Sequence, residues 1–305
     1  MFKNSLLFVG TALFLASCGG ANKETTSDTT AVAKDTVAPP PVVVVEQAWA
    51  TDTTLRTPES VLFDKGRNII YVANINGKPD GKDKNGFISK LTPDGKIETL
   101  EWVKGLDAPK GMGVFKNKLY VTDITKLVEI DIDKGKVVKT YEVPGAVFLN
   151  DVTVDTAGLV YFSDSETNKI HTLSNGKVST WLDKDLSKPN GLLAENNRLL
   201  LASMGNAEFS ALDLSSKANT VIAKEIGAGD GVAYFGKPGH YVVSDWNGTV
   251  FLIEPDGKKN LVLDTKADKI NSADIDFIPE TGILLVPTFF NNRVVAYKVT
   301  HNSAD

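Results

Sequence analysis

Six short segments hold the residues best suited to chemistry: Pro58-Glu59-Ser60-Val61, Pro109-Lys110-Gly111-Met112, Leu149-Asn150-Asp151-Val152, Pro189-Asn190-Gly191-Leu192, Gly229-Asp230-Gly231-Val232 and Ser272-Ala273-Asp274-Ile275. Their second residues fall at 59, 110, 150, 190, 230 and 273, and three successive intervals are forty residues. Glu59, Asn150, Asn190 and Asp230 together offer two carboxylates and two amide oxygens. These are hard donors suited to Ca2+, Mg2+ or Mn2+, and carboxylate oxygen also serves Zn2+. Taken singly, each has an ordinary role: Asn190-Gly191 and Asp230-Gly231 are common turn dipeptides, Asn150-Asp151 suits a loop cap, and Glu59 follows a proline. Their shared register makes them a candidate site for one divalent cation.

A register of this kind needs elements that repeat with it. After each anchor comes a short alternating apolar segment, a turn, a more hydrophobic strand, a turn, and one or two further strands. In the third repeat these are residues 152–154, 159–163, 169–173 and 178–182; in the fifth, 232–234, 241–244, 249–253 and 260–263. Pro93-Asp94-Gly95 and Pro255-Asp256-Gly257 supply turns, with proline fixing φ and glycine free to take positive φ. Sustained helical periodicity is missing, while Val, Ile, Thr and aromatics fill the strand segments. Four short strands about every forty residues predict propeller blades, so the expected fold class is all-β, a six-bladed β-propeller. The channel of such a ring is where equivalent anchors from distant parts of the chain meet.

The last repeat supplies only three strands, at 275–277, 283–287 and 293–299. A strand from the N-terminal side, within 48–55, is the expected fourth, which protects the edge of the last blade. The first interval is eleven residues longer than forty, and the polar stretch 77–86 accounts for the surplus as a surface loop, with a calcium loop as the alternative. Thr122-Asp123-Ile124, Ser163-Asp164-Ser165-Glu166 and Ser244-Asp245-Trp246-Asn247 recur after the second strand of their repeats. They read as strand-end turns, with a place on the substrate rim as the alternative.

The chain opens with Met1-Phe2-Lys3-Asn4 and an apolar run over 6–15, followed by Leu15-Ala16-Ser17-Cys18, which resembles the bacterial lipobox. Residues 1–17 are expected to be a lipoprotein signal peptide, and 18–45 a lipidated Cys18 with a flexible tether rich in Thr, Ala, Asp and Pro. The propeller then occupies 46–302, and the expected location is the bacterial cell envelope, with the membrane engaged only through the lipid. Cys18 is the single cysteine, so no disulfide or thiolate metal site is available to the fold. The formal net charge of −5, with lysines and acids interspersed, leaves no basic stripe for nucleic acid. A monomer is expected. His171, His240 and His301 occupy unrelated repeat positions, which argues against a histidine metal site or a Ser-His-Asp triad. Without a glycine-rich loop that follows a strand and opens a helix, nucleotide binding has no support either.

Glu59-Ser60-Val61-Leu62-Phe63-Asp64, Asn150-Asp151-Val152-Thr153-Val154-Asp155, Pro189-Asn190-Gly191-Leu192, and Asp230-Gly231-Val232 with the later Gly248-Thr249-Val250 resemble the six-bladed family of senescence marker protein (regucalcin), gluconolactonases and luciferin-regenerating enzyme. The resemblance implies that Glu59, Asn150, Asn190 and Asp230 bind one divalent metal and that Asp230 is the base. It also implies hydrolysis of a lactone or similar ester. Lys110, Phe148 and Asp151 are the expected substrate contacts, with an exposed blade-edge lysine as the alternative for Lys110. Two departures stand out. Phe148 occupies the place where the family's enzymes often carry a substrate-contacting arginine, and Ser60 and Val61 replace glycine and proline. Metal binding is compatible with these changes, whereas sugar-lactone specificity is not implied. The alternative is a non-catalytic propeller that binds a peptide, glycan or envelope protein.

Overall fold

A computed structural model describes residues 43–302. The expected signal segment, Cys18 and the tether up to residue 42 lie outside the described residues. Within them the fold is an all-β ring of six four-stranded antiparallel sheets, with one 3-10 turn at Phe289–Asn291. The six-bladed expectation is met.

The first blade comprises β2 (Pro58–Asp64), β3 (Ile69–Asn74), β4 (Gly86–Leu91) and β5 (Ile97–Leu106), following β1 (Val43–Ala50), which belongs to the last. The second holds β6 (Pro109–Phe115), β7 (Lys118–Asp123), β8 (Lys126–Asp131) and β9 (Lys136–Glu142). The third holds β10 (Leu149–Val154), β11 (Val160–Asp164), β12 (Lys169–Ser174) and β13 (Lys177–Leu182). The fourth holds β14 (Pro189–Glu195), β15 (Arg198–Ser203), β16 (Glu208–Asp213) and β17 (Asn219–Lys224). The fifth holds β18 (Gly229–Tyr234), β19 (Tyr241–Asp245), β20 (Thr249–Ile253) and β21 (Lys259–Asp264). The sixth has β22 (Asp276–Ile278), β23 (Ile283–Pro287) and β24 (Val294–His301), with β1 outermost.

That closure differs in position from the expected 48–55. β1 pairs with β24 from Val43 opposite His301 to Ala50 opposite Val295, so residues 43–45, expected to belong to the tether, are strand. The reason is that the stretch from Thr51 has another task. It carries the chain from the outer edge of the sixth blade to the innermost strand of the first, with Leu55 fully buried on the way.

Burial explains the ring. Each blade has buried inner strands and an exposed outer one, as in β7 against β9, because inner strands are sandwiched between neighbouring blades. Six apolar clusters fill the six junctions between blades. Tyr71 and Ile88 of the first meet Leu119 and Val128 of the second, and Leu285 and Ala296 of the sixth meet Val61 and Val72 of the first. Non-polar burial across these junctions is the dominant stabilising term and joins the last blade to the first.

Candidate functional site

β2, β6, β10, β14 and β18 each break pairing register at the anchor. The shifts fall between Pro58 and Ser60, Pro109 and Met112, Leu149 and Val152, Pro189 and Leu192, and Gly229 and Val232. A bulge of this kind frees a residue from the ladder and re-aims its side chain. Here the freed residues are Glu59, Lys110, Asn150, Asn190 and Asp230, all of which line one cavity of about 220 Å³ at the mouth of the central channel.

Backbone shape at the bulges depends on glycine. A Cβ on Gly191 would overlap the carbonyl of Asp230, and one on Gly111 would overlap Asp151. Hydroxyls on the second strands then tie neighbouring blades together. Ser163 Oγ accepts from Asp151 N at 3.0 Å and donates to Asn190 O at 2.9 Å, linking the third blade to the fourth. Ser244 Oγ does the same between Gly231 N and Ala273 O, both at 2.8 Å, and Thr122 Oγ1 donates to Asn150 O. Carboxylates at the ends of the second strands hold the loops leading into the anchors: Asp123 accepts from the backbone N–H groups of Asp107 and Ala108, Asp164 from those of Val147 and Phe148, and Asp245 from that of Ala228. The recurring Thr/Ser-Asp pairs are thus strand-end turn devices.

The polar floor is buried, with Glu59 5%, Asn150 6%, Asn190 2%, Asp230 3% and Lys110 1% exposed. Asn190 Nδ2 donates to Asp230 Oδ1 at 2.8 Å, and Asn150 Nδ2 donates to Ser165 Oγ at 3.3 Å. Glu59 Oε2 and Asn190 Oδ1 have no protein partner despite full burial. An unpartnered buried oxygen is costly unless something outside the protein set satisfies it, and two such oxygens beside a carboxylate fit a hard cation. Among the described residues no group of three or more His, Cys, Asp or Glu side chains is arranged to hold a metal; this set has only two carboxylates, and its other donors are amides.

Burial pushes the Glu59 carboxyl well above its ordinary range, with Asp230 and Asp274 adding to the rise and the Lys110 ammonium opposing it. Burial, then the charge of Asp274, raises Asp230 as well, while the Asn190 hydrogen bond pulls it down. Desolvation lowers Lys110 to about 8 against the opposing charge of Glu59. Lys110 is fully enclosed: Nζ donates to Pro79 O at 2.8 Å and Ala108 O at 3.1 Å and lies 4.3 Å from the centre of the Phe148 ring. The loop after β3, longer than its counterparts, is thereby drawn over the mouth, and Asp83 within it caps Asn85 through N and Nδ2.

Phe148 lines the mouth cavity, but Asp151 does not. Its Oδ1 accepts from Val152 N at 2.6 Å and its Oδ2 from Leu192 N at 2.5 Å, which turn it down the channel toward a cavity of about 360 Å³ at the opposite end. Asp274 lies beside it, bonded to Ser60 Oγ at 2.6 Å, with burial raising its pKa to about 7. This inner pair carries no repeat-wide signal, because Gly111, Gly191 and Gly231 occupy the same position in three other blades. Ile75, Pro79, Met204, Trp246 and Phe289 complete the walls of the mouth. Of these, Trp246 lies in one of the recurring strand-end segments and Pro79 in the insertion 77–86, while Ile75, Met204 and Phe289 carry no signal in the repeat. His240 and His301 meet with ring centres 5.6 Å apart, where the innermost strands finish, away from the anchors.

No family model matches the sequence, and no curated protein matches it either. Solved structures resemble it in fold. A gluconolactonase from Xanthomonas campestris is 14% identical with a TM-score of 0.63, covering 84% of this chain and 87% of its own. A streptogramin B lyase is 13% identical at a TM-score of 0.62, covering 85% and 98%. An auxiliary nutrient binding protein from Bacteroides thetaiotaomicron is 9% identical at 0.65, covering 84% and 76%. At these identities the likeness is one of fold, and one fold serves many functions.

Proposed function

We infer that the chain is a divalent-metal-dependent hydrolase of lactones or similar esters, acting at the channel mouth. One observation carries this reading: Glu59 Oε2 and Asn190 Oδ1 are buried without partners on the same cavity wall as Asp230. Glu59, Asn150, Asn190 and Asp230 would hold the cation, which when bound supplies positive charge against a substrate carbonyl.

Asp230, fixed by Asn190, takes a proton from water as the water oxygen bonds to the carbonyl carbon. The ring C–O bond then breaks, and the departing alkoxide recovers the proton from Asp230 to give the hydroxy acid. Lys110 is a positioning residue: it pins the overhanging loop through Pro79 O and offsets the charge of Glu59. The gluconolactonase among the similar structures is consistent with this chemistry. Export, lipidation at Cys18 and tethering to the cell envelope belong to the same proposal, drawn from the N-terminal sequence.

The test is lactone hydrolysis by the full-length chain, stripped of metal and reloaded with Ca2+ or Mn2+. Activity that needs metal and is lost in Asp230→Ala supports the proposal. Hydrolysis indifferent to both changes overturns it, and a stable envelope complex unaffected by Asn190→Ala favours a binding propeller.

A further inference from the structure

A second register of residues lies above the anchors. In five blades it is the residue just past the second strand: Ile75, Ile124, Ser165, Met204 and Trp246; in the sixth, Phe289 stands two residues past β23. Five of these six are apolar. Ile75, Ile124 and Phe289 pack into one cluster with Trp246 against it, and Ser165 turns its hydroxyl to Pro189 O at 2.7 Å. Among the side chains at these positions the Trp246 indole N–H is the one conventional donor left, since Ser165 is engaged and the others are apolar. Phe148 and Pro79 fill the gaps between them.

Phe289 adds an independent sign. Its φ is +47°, a left-handed conformation costly for a bulky L-residue. The strained backbone holds the ring edge-on to Trp246 at 5.5 Å and to Phe290 at 4.7 Å, only 4% exposed, as a wall of the cavity.

We propose that the site selects a lactone or ester bearing an alkyl or aryl substituent and rejects a polyhydroxylated one. This rests on the hydrolase reading for the ester group, while the substituent preference follows from the rim alone. The floor supplies the few polar contacts a carboxylic ester needs. Most hydroxyls on a sugar ring would meet Ile75, Phe148, Met204 and Phe289, losing water without gaining partners, with the Trp246 indole N–H able to serve only one of them. Each methylene seated on the same walls is worth about fourfold in affinity.

The experiment measures calorimetric binding of two non-hydrolysable probes to the full-length, Ca2+-loaded chain: a six-membered lactam with a five-carbon alkyl chain, and D-glucono-1,5-lactam. Hydrolysis of the two corresponding lactones is measured alongside. The alkyl lactam is expected to bind about 100-fold or more tightly than the sugar lactam. Met204→Gln, a part-exposed change of similar volume, should narrow that ratio several-fold. Tight alkyl-lactam binding with neither lactone hydrolysed supports the apolar selectivity and removes the hydrolase reading. Equal or tighter binding of the sugar lactam, or no binding of the alkyl lactam, overturns the proposal whatever the hydrolysis result.

Discussion

Asn190 Nδ2 donates to Asp230 Oδ1 at 2.8 Å across forty residues of chain. This bond joins the fourth blade to the fifth at the channel mouth. It leaves Asn190 Oδ1 buried and unpartnered while fixing the carboxylate beside it. The pair thus couples a cation donor to the proposed base.

Removal of either residue should act differently on rate and pH. Asp230→Ala is expected to lower kcat by about 10²- to 10⁴-fold, the usual span for a lost general base. Asn190→Ala removes a bond that lowers the Asp230 pKa. The limb of the pH–rate profile that rises as Asp230 deprotonates should therefore move to higher pH. A Ca2+ titration and a pH profile of both variants check this.

Cation binding should stabilise the fold more at pH 8 than at pH 5. Burial raises Glu59 and Asp230 well above the usual carboxylate range and Asp274 to about 7. Between about pH 4, where unfolded carboxyls ionise, and pH 7, the cation-free fold retains protons that the unfolded chain has lost. These groups therefore stabilise least at the alkaline end of that window, where a cation takes the place of the protons. Melting curves with and without Ca2+ at the two pH values should show the larger rise in Tm at pH 8, and an equal rise would contradict the charge assignment.

The blade-to-blade hydroxyls should carry measurable stability. Ser163→Ala strips a partner from both Asp151 N and Asn190 O, two buried groups. The expected loss is about 1–3 kcal/mol in denaturant unfolding, with an unchanged m-value. Ser244→Ala should behave alike, since it joins Gly231 N to Ala273 O.

Gly191→Ala should damage the site more than its small size suggests. A Cβ at that position overlaps the Asp230 carbonyl, so the backbone of β14 or β18 must move. The expectation is a loss of several kcal/mol, within the range of exceptional single mutations, together with weakened Ca2+ binding. Circular dichroism melts and calorimetry would measure both.

The fold was legible because it repeats. Turn residues and alternating apolar segments recur in step with the anchors, and each blade announces its strands locally. The closing strand was misplaced because pairing of Val43 with His301 is set by the far end of the chain, not by any local pattern. Within the site, the common register of Glu59, Lys110, Asn150, Asn190 and Asp230 brought them to one cavity, as a ring of equivalent positions requires.

What the sequence determined by itself was a six-bladed ring and a polar anchor in five of its blades facing the channel, since both follow from periodicity. Only the tertiary structure decided which oxygens lack partners, that Lys110 is enclosed and bound to Pro79, that Asp151 turns away from the mouth, and that an apolar rim covers the floor. Bulges, hydrogen bonds between blades and a loop folded over the channel set these features, and each joins residues far apart in the chain. The physical reason is that burial and partnering belong to the space between blades, whereas the repeat is written within each one.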